Sequence, residues 1–219
     1  MNFAPLGDQA VLATFPAESA ALRFATAVQV AALPGVTDIV PAYFSVAVFF
    51  DLQQTHYAKL VPRLQQLAKR KPARKAQIPL RRHFIPCCYE LGPDLTRIVE
   101  HTGLTTEEVI RLHSGEEYTV YAIGFCPGFP YLGYLPKTLS GVPRLPAPRL
   151  RVEPGSVGLT GRQTGIYPLD RPGGWNLLGR TPMQLVDVEA GYFPIRTGDI
   201  VKFQRIDETE FKKLKDQRL

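Results

Sequence analysis

Three arginines in the segment RLPAPRLRV could bind a small anion. If the segment is extended, Arg149 and Arg151 share one face while Leu150 lies on the other. Two guanidinium groups on one face can hold a carboxylate or a phosphate through paired hydrogen bonds. Arg144 precedes this pair in the same segment. The alternative is that the arginines extend into solvent from the corners of a β-barrel.

The segment GRQTGIYP places polar side chains between glycines. Gln163, Thr164 and Tyr167 offer hydrogen-bond donors and acceptors where glycine lets the backbone approach a ligand closely. These three residues could therefore line a pocket. The alternative is a hairpin whose polar side chains satisfy their own turn.

The only tryptophan of the chain follows a pair of glycines. Gly173 and Gly174 precede Trp175 and Asn176, and Arg180 follows within reach of the same predicted strand. The alternative for Trp175 is a place in the hydrophobic core, because burial of so large a side chain contributes much to packing.

His113 lies near the C-terminal end of a predicted helix, just before a Ser-Gly pair. There an imidazole gains from the helix dipole and could face a cleft, where it could transfer a proton. The alternative is a helix-end histidine that satisfies the last carbonyl groups. His56, His83 and His101 have no such context, and we interpret them as surface or packing residues.

The stretch from Pro127 to Pro182 is rich in proline, glycine and arginine. Its 56 residues hold 10 of the 20 prolines and 10 of the 18 glycines, and they carry +5 of the formal charge of +6. Proline and glycine both disfavour helix, so the stretch predicts short strands and shaped loops. Positive charge on such a backbone suits a pocket for a small anion or a charged partner surface.

Several kinds of site are disfavoured by the sequence. It has no GxxxxGK[ST] phosphate-binding loop and no GxSxG nucleophile motif. Its three cysteines, two of them adjacent, fit neither a disulfide framework nor zinc-ligand spacing, so we expect no metal site. The basic residues alternate with prolines rather than with stacking aromatics, which argues against nucleic-acid binding.

The sequence also argues against a membrane protein. It has no apolar run of the roughly 20 residues that span a bilayer. The N-terminus lacks the pattern of a signal peptide. We therefore expect a cytoplasmic protein with no membrane partner.

The first half of the chain alternates between strand and helix patterns. Residues 8–15 predict a strand, and residues 17–33 predict an alanine-rich helix that ends before a Pro-Gly pair. Two further strands, VTDIVPAY and FSVAVFFD, follow. Residues 55–70 predict a second helix, in which Pro62 either causes a kink or marks the first turn. The basic segment KRKPARK suits a linker.

The second half predicts a barrel with inserted helices. A strand over residues 82–89 precedes two short helices. Pro93 suits the first turn of the first helix, which Gly103 ends. Thr105 and Glu108 form a capping box for the second helix. Later segments are strand-like and end in GDIVKFQRI and a short charged helix, which predicts a closed or nearly closed β-barrel.

Three segments carry a family resemblance. They are IPCCYELGPDL, TTEEVIRLHSGEEYTVYAIGFCPGFPYLGYL and PRLPAPRLRVEPGSVGLTGRQTGIYPLDRPGGWNLLGRTP. They resemble the B subunit of bacterial ATP-dependent 5-oxoprolinase, a family also called KipI-like and allophanate hydrolase subunit 1. The resemblance implies an α+β protein. Its N-terminal ferredoxin-like domain would span residues 1–78, and a cyclophilin-like β-barrel with inserted helices would span residues 79–219.

The resemblance also implies partners and a cofactor. Members of the family act in an obligate complex with the related C subunit of 5-oxoprolinase, and with its A subunit. The complex opens 5-oxo-L-proline to L-glutamate at the expense of ATP. We therefore expect a chain that binds a small anionic substrate and is inactive alone, with no ATP site identifiable in its own sequence.

The residues and the resemblance together give three groups of candidates. His113 becomes the candidate for proton transfer or for orienting an arginine. The substrate-binding candidates are Arg144, Arg149, Gln163, Thr164, Tyr167, Trp175, Asn176 and Arg180. The loop-shaping candidates are Gly124, Pro127, Gly128, Phe129, Gly173 and Gly174. One departure is Glu153, where relatives often have an uncharged residue, and this acid would neutralise part of the charge of the arginine pair.

The family names leave other functions open. A KipI-like protein would inhibit a sensor histidine kinase through an exposed docking face rather than a closed pocket. An allophanate- or urea-processing complex would use the chain to bind a different substrate. A cyclophilin-like fold alone is weak support for peptidyl-prolyl isomerase activity.

Overall fold

The structure is a computed structural model that describes residues 1–70 and 81–219. The chain divides into two units, Met1–Leu80 and Arg81–Leu219. The predicted boundary between residues 78 and 79, and most of the predicted linker, lie outside the described residues. Among the described residues, none of the helices has the length and apolar character needed to cross a membrane.

The first unit is a four-stranded antiparallel sheet with two helices packed against it. Its elements are β1 (Asn2–Pro5), β2 (Ala10–Thr14), α1 (Glu18–Ala31), β3 (Val36–Ala42), β4 (Ser45–Phe50) and α2 (Tyr57–Lys69). The strand order is β1-β2-β4-β3. The predicted β-α-β-β-α order is confirmed. Strand β1 was missed, because four residues ending in proline show little periodicity.

Alternation along the strands builds the core of this unit. Val11 of β2 and Val46 and Val48 of β4 are fully buried and pack with helix residues such as Phe24 and Leu64. Side chains two residues apart on a strand share one face, so these positions form one apolar layer. Pro62 is exposed inside α2, so it does not mark the first turn.

The second unit is a seven-stranded sheet with a separate two-stranded ribbon and three helices. Its elements are β5 (Arg82–Cys87), α3 (Leu95–Thr102), α4 (Thr106–Gly115), β6 (Tyr118–Ile123), β7 (Pro130–Gly133), β8 (Arg149–Val152), β9 (Ser156–Thr160), β10 (Gln163–Ile166), β11 (Arg171–Gly173), β12 (Asn176–Arg180), β13 (Ile200–Arg205) and α5 (Glu208–Leu214). The sheet order is β12-β9-β10-β7-β6-β13-β5, and β8 pairs with β11 in the ribbon. The predicted barrel-like sheet is confirmed in this coarse form.

The two edges of the seven-stranded sheet meet at a seam between Cys88 and Arg180. Each residue donates its backbone N–H to the other's carbonyl, at 2.8 and 2.9 Å, so the sheet closes almost completely on itself. The backbone approach requires glycine: a Cβ on Gly92 would lie 2.3 Å from the carbonyl carbon and oxygen of Leu178. Closure removes the exposed edges that an open sheet would present.

The inserted helices end largely as their sequences predict. Thr105 and Glu108 form both bonds of a capping box at the start of α4. Gly103 ends α3 in the left-handed conformation, with φ of 70°. Pro93 lies one position before Asp94, the N-cap residue of α3, rather than in the first turn of the helix.

Candidate functional site

Strand alternation separates the three polar residues of the GRQTGIYP segment. Thr164 and Ile166 face the barrel interior, where Thr164 is fully buried and Ile166 joins the main core. Gly165 and Tyr167 lie on the outer face, in contact with other aromatic residues. Gln163 begins β10 and is half-buried. The three residues therefore do not line one pocket.

A cluster of aromatic rings and smaller apolar side chains covers the outer face of the sheet, and we call it the outer aromatic cluster. It comprises Cys126, Phe129, Val152, Tyr167, Trp175 and Leu177, with Tyr131 packed beside them. A row of paired residues, Tyr131, Gly165, Gly158 and Leu177, crosses four strands beneath it. A Cβ on Gly165 would lie 3.0 Å from Phe129 and from Trp175. The absence of side chains at these glycines lets the rings approach the sheet.

The rings of the outer aromatic cluster meet edge to face. Phe129 contacts Trp175 and Tyr167 at centroid distances of 5.5 and 5.2 Å, with interplanar angles of 88° and 79°. Phe125 adds a further ring 6.1 Å from Tyr167, and 56% of its surface is exposed. Such geometry matches the ring quadrupoles and gives the cluster a defined shape.

The Tyr167 hydroxyl is fixed inside this cluster. Burial raises its pKa, and a hydrogen bond from the backbone N–H of Trp175 and the charges of Arg144 and Arg149 partly oppose that rise. Gly173 leaves room for the hydroxyl, since a Cβ there would lie 2.3 Å away from its oxygen. Tyr167 therefore presents a neutral phenol near two arginines.

The turn between β6 and β7 contains four of the predicted loop-shaping residues, Gly124, Pro127, Gly128 and Phe129. Gly124 and Phe129 are joined by a 3.1 Å backbone hydrogen bond, and Phe129 in turn donates to the Cys126 carbonyl. Gly128 has φ of 76°, which favours glycine, and Phe125 adopts φ of 66° without that advantage. The turn holds Phe125 over the cluster at a conformational cost.

The ribbon does not place Arg149 and Arg151 on one face, and that prediction is wrong. Val152 pairs with Arg171 and Arg149 pairs with Gly173, so two residues of β8 lie opposite Pro172 alone. Proline cannot donate to a strand ladder, and an irregularity of this kind commonly accommodates it. Leu150 and Arg151 are consequently exposed, while Val152 is buried in the cluster and Arg149 is half-buried.

Three arginines of the Pro127–Pro182 stretch each form an ion pair with a different carboxylate. Arg149 donates to Asp94 at 2.6 Å, and Arg151 forms an ion pair with Asp170 at 2.5 Å. Arg180 pairs with Glu153 and also donates to the Pro154 carbonyl at 3.1 Å. The unusual acid Glu153 therefore neutralises Arg180 rather than the predicted pair.

Arg144 is exposed and, among the described residues, has no carboxylate at ion-pair distance. Its backbone is nevertheless held: Leu145 donates to the Gly174 carbonyl at 2.8 Å, and the Asn176 amide donates to the Pro143 carbonyl at 2.9 Å. Its charge partly opposes the burial that raises the pKa of Tyr131 and Tyr167. An exposed guanidinium without a carboxylate partner can receive an external anion.

His113 lies inside the barrel and is fully buried. Its Nδ1 is 2.8 Å from the Tyr89 hydroxyl, and its Nε2 is 2.9 Å from the Thr164 hydroxyl. Its ring also packs against Phe203 at a centroid distance of 4.5 Å. Burial lowers the pKa of His113 to about 3, so the ring is neutral at ordinary pH. The structure separates this residue from the outer aromatic cluster.

Asn176 is also buried, and it leads to two residues that the sequence did not suggest. Its Oδ1 accepts a hydrogen bond from Arg97 Nε at 2.9 Å, while the neighbouring Leu177 N–H donates to Asp94 Oδ2 at 2.7 Å. Asp94 and Arg97 lie at the start of α3. The sequence does contain a sign that Arg97 has a special role: it is a cation in the first turn of a helix, where acidic residues are favoured.

The described residues contain no group of three or more His, Cys, Asp or Glu side chains arranged to hold a metal ion. Cys87, Cys88 and Cys126 are buried, free thiols. Burial, followed by the hydrogen bond to Glu90, raises the pKa of Cys88 to about 11. These thiols therefore remain protonated and do not act as nucleophiles at neutral pH.

Comparisons with known proteins agree with this architecture. Residues 1–193 match the family described as carboxyltransferase domain, subdomain C and D. The chain is 39% identical over 196 residues to the B subunit of 5-oxoprolinase from Bacillus subtilis (strain 168), covering 84% of this chain and 81% of that one.

Two solved structures are similar. The crystal structure of TTHA0988 superposes with a TM-score of 0.79 and 36% identity, covering 91% of this chain and 40% of that one, so this chain spans less than half of that protein. Urea carboxylase of Kluyveromyces lactis has a TM-score of 0.67 at 18% identity, covering 97% of this chain and 22% of that one, and shows a shared fold. The chain therefore belongs to the carboxyltransferase subdomain C and D family and, within it, to the family of 5-oxoprolinase B subunits.

Proposed function

We propose that this chain is part of an ATP-dependent 5-oxoprolinase and acts with the A and C subunits of that enzyme to open 5-oxo-L-proline to L-glutamate. The relative named as a 5-oxoprolinase B subunit aligns over most of both chains, which supports this function over kinase inhibition. We expect the chain to be inactive alone and to work in the cytoplasm, where ATP is available.

We propose that the substrate carboxylate binds Arg144. The observation that carries this assignment is that Arg144 is exposed and its charge acts on Tyr131 and Tyr167, while Arg149, Arg151 and Arg180 are each paired with an acid. A guanidinium can hold a carboxylate through two parallel hydrogen bonds. The five-membered ring of the substrate would then contact the exposed part of the outer aromatic cluster.

The remaining candidate residues would support this site rather than contact the substrate together. Tyr167 and Trp175 form its apolar wall, and Arg149 adds positive charge at one side. Thr164, Asn176 and His113 are buried beneath the site, so we assign them to holding the barrel and its loops in shape. Gln163 begins β10 and Arg180 ends β12, two strands separated by β9, and we expect both residues to face a partner protein.

The chemistry requires activation, because the amide of an unstrained lactam is a poor electrophile. Transfer of the γ-phosphoryl group from ATP to the amide oxygen, with ADP leaving, would activate the ring carbon toward water. The ring nitrogen would then leave as the amine, and a second water would hydrolyse the resulting acyl phosphate to L-glutamate and phosphate. Cations near the reacting centre stabilise the negative charge that develops in such steps. The share of this chain is to orient the substrate by its carboxylate.

We further propose the finer fold descriptions on the strength of topology. An antiparallel sheet in the order β1-β2-β4-β3 with α1 and α2 on one face suits a ferredoxin-like domain in which β1 occupies an edge position. The nearly closed seven-stranded sheet with inserted helices suits a cyclophilin-like barrel.

The test is an omission assay with purified A and C subunits and this chain. We expect ATP hydrolysis that depends on 5-oxoproline only when all three are present. Heat-denatured chain serves as the control for nonspecific stabilisation of the other two proteins. Full activity without this chain would overturn the proposal.

A further inference from the structure

The N-terminus of α3 has an aspartate in the capping position that does not cap the helix. Asp94 makes no side-chain hydrogen bond to the first turn, and its backbone has φ of −110° and ψ of 10°. Two other helices of the same unit provide a comparison. Thr105 accepts from the Glu108 N–H, and Asp207 accepts from the Glu210 N–H at 2.8 Å. Aspartate is among the preferred capping residues, so the geometry at Asp94 requires another explanation.

Both carboxylate oxygens of Asp94 are used elsewhere. Oδ1 accepts from Arg149 Nη2 at 2.6 Å, across 55 positions of sequence, and Oδ2 accepts from the Leu177 N–H at 2.7 Å, across 83 positions. The Asp94 N–H also donates to the Leu177 carbonyl at 3.0 Å. With 10% of its side chain exposed, Asp94 is largely shielded from solvent. Charge-assisted bonds of this length are strong when shielded.

These bonds join three elements that no strand ladder connects. Arg149 begins β8 of the ribbon, Leu177 lies on β12 of the barrel, and Asp94 precedes α3. The ribbon forms a sheet of its own, so side-chain contacts help to hold it in place over the outer aromatic cluster. Val152 and Leu177 both belong to that cluster. A residue that fixes both β8 and β12 therefore fixes two walls of the site.

Arg149 itself has little freedom. Its Nη1 is buried without a hydrogen-bond partner, while Nη2 is held by Asp94. An arginine held by one nitrogen keeps a defined direction for the rest of its guanidinium group. The charge of Arg149 acts on Tyr167, at the centre of the cluster.

We propose that Asp94 is a positioning residue for substrate binding, which orients Arg149 and aligns the ribbon with β12 instead of capping α3. The inference rests on the proposed function, because it names a residue that shapes the same carboxylate site. Asp94 does not contact the substrate. It acts through Arg149 and through the backbone of Leu177.

The variant Asp94→Ser separates positioning from helix capping. Serine is as good a capping residue as aspartate, so the variant keeps the capping ability of this position, but its hydroxyl is too short to hold Arg149 and the Leu177 N–H. In the reconstituted complex we expect the KM for 5-oxoproline to rise about tenfold, with kcat within about twofold and a small change in Tm. Combining Asp94→Ser with Arg149→Met should add little to the KM of either single variant, because the two residues act as one unit.

The control is Glu107→Gln, which breaks a different ion pair of the same barrel, between Glu107 and Arg205. Its KM should equal that of the wild type. Asp94→Asn keeps an acceptor for the Leu177 N–H but removes the charge, and it should give an intermediate KM. An unchanged KM in Asp94→Ser, or multiplying effects in the double variant, would overturn the proposal.

A readout without substrate keeps the two proposals distinguishable. The side-chain N–H signals of Arg149 in NMR spectra should exchange slowly with water in the wild type and quickly in Asp94→Ser. If the wild-type complex has no activity, the proposed function fails, and these signals still decide whether Asp94 holds Arg149. If their exchange is the same in both proteins, the positioning role is wrong.

Discussion

His113 and Thr164 are joined by a 2.9 Å hydrogen bond whose direction fixes the tautomer of the imidazole. The Thr164 hydroxyl donates its proton to the Gly158 carbonyl at 3.0 Å, so it must accept from His113 Nε2–H. His113 Nδ1 then accepts from the Tyr89 hydroxyl at 2.8 Å. The hydrogen bonds from Tyr89 through His113 and Thr164 to Gly158 can all form only while the imidazole is neutral.

The neutral ring makes stability fall in acid. The pKa of His113 drops from 6.5 to about 3 on burial, so the unfolded chain binds one more proton than the folded chain between these values. The stability that the fold has while His113 is neutral in both states is fully present above pH 6.5, and it is lost progressively as the pH falls toward 3. We expect the free energy of unfolding to decrease by about 1.4 kcal/mol per pH unit from this residue.

Urea unfolding at pH 7.0, 6.0 and 5.0 measures this loss. His113→Phe removes the titrating group and should flatten the dependence, although it costs stability at pH 7 because the Tyr89 and Thr164 hydroxyls each lose a hydrogen bond. An NMR titration of His113 with a pKa near 6.5 would contradict the expectation.

The same burial bears on the predicted role of His113 in proton transfer. A general acid or base contributes a limb to the pH profile at its own pKa. Because burial lowers the pKa of His113 to about 3, we expect no such limb between pH 5.5 and 8 in kcat/KM of the reconstituted complex. A limb near pH 6.5 that disappears in His113→Gln would restore the histidine to the catalytic step.

Arg144→Ala tests the carboxylate-binding assignment. We expect the KM for 5-oxoproline to rise roughly 10- to 100-fold, which corresponds to the loss of a charge-assisted hydrogen bond of about 1.5–3 kcal/mol. The Tm should change by less than about 2 °C, since Arg144 is exposed and, in the described part of the chain, unpaired with an acid. The matched control is Arg162→Ala, which removes an arginine that stacks on Tyr134 at 4.2 Å. Equal kinetics in both variants would remove Arg144 from the site.

Trp175 offers a direct signal of binding, because it is the only tryptophan in the chain and belongs to the outer aromatic cluster. A substrate bound at Arg144 should change the polarity near the indole and shift its emission. Titration with 5-oxoproline in the presence of the C subunit measures the dissociation constant. The signal should be absent with L-alanine and reduced in Arg144→Ala. A spectrum that ignores saturating 5-oxoproline would place the substrate elsewhere.

The seam of the barrel predicts a position that tolerates no side chain. In Gly92→Ala the new methyl group would lie 2.3 Å from the Leu178 backbone, so the seam must open. We expect a loss of about 3 kcal/mol or more in unfolding free energy, or failure to fold. Gly115→Ala is the control, since nothing lies within 4 Å of its Cβ position and it ends a helix. Equal urea midpoints for the two variants would contradict the close approach.

Local sequence signals predicted the local parts of the fold well. The capping box of Thr105 and Glu108 and the helix end at Gly103 depend on neighbouring residues only, and both are present. The burial of His113 was also readable, since it shares the inner face of α4 with Val109 and Ile110 at helical spacing. The position of His113 at the helix end favoured the other prediction, a histidine that faces a cleft and transfers a proton.

The pairing of charges could not be predicted from the sequence. Arg149 meets Asp94 across 55 residues, and Arg180 meets Glu153 across 27. Which carboxylate approaches which arginine depends on how the ribbon folds over the barrel. The ribbon in turn depends on the irregularity opposite Pro172, which turns Arg151 away from Arg149. The regular alternation of side chains along an ideal strand predicts, wrongly here, that Arg149 and Arg151 lie on the same face.

The order of strands in the barrel constrains when this unit can fold during synthesis. Strand β13, residues 200–205, pairs with β5 on one side and with β6 on the other, although β5 begins at residue 82. The two strands made first therefore lack the strand that joins them until the last strand emerges. Contacts between such distant residues form slowly, and unpaired edges attract other chains. The second unit can therefore complete its fold only after nearly its whole sequence has been synthesised. A chain cut short before residue 200 would have a gap between β5 and β6 in its barrel.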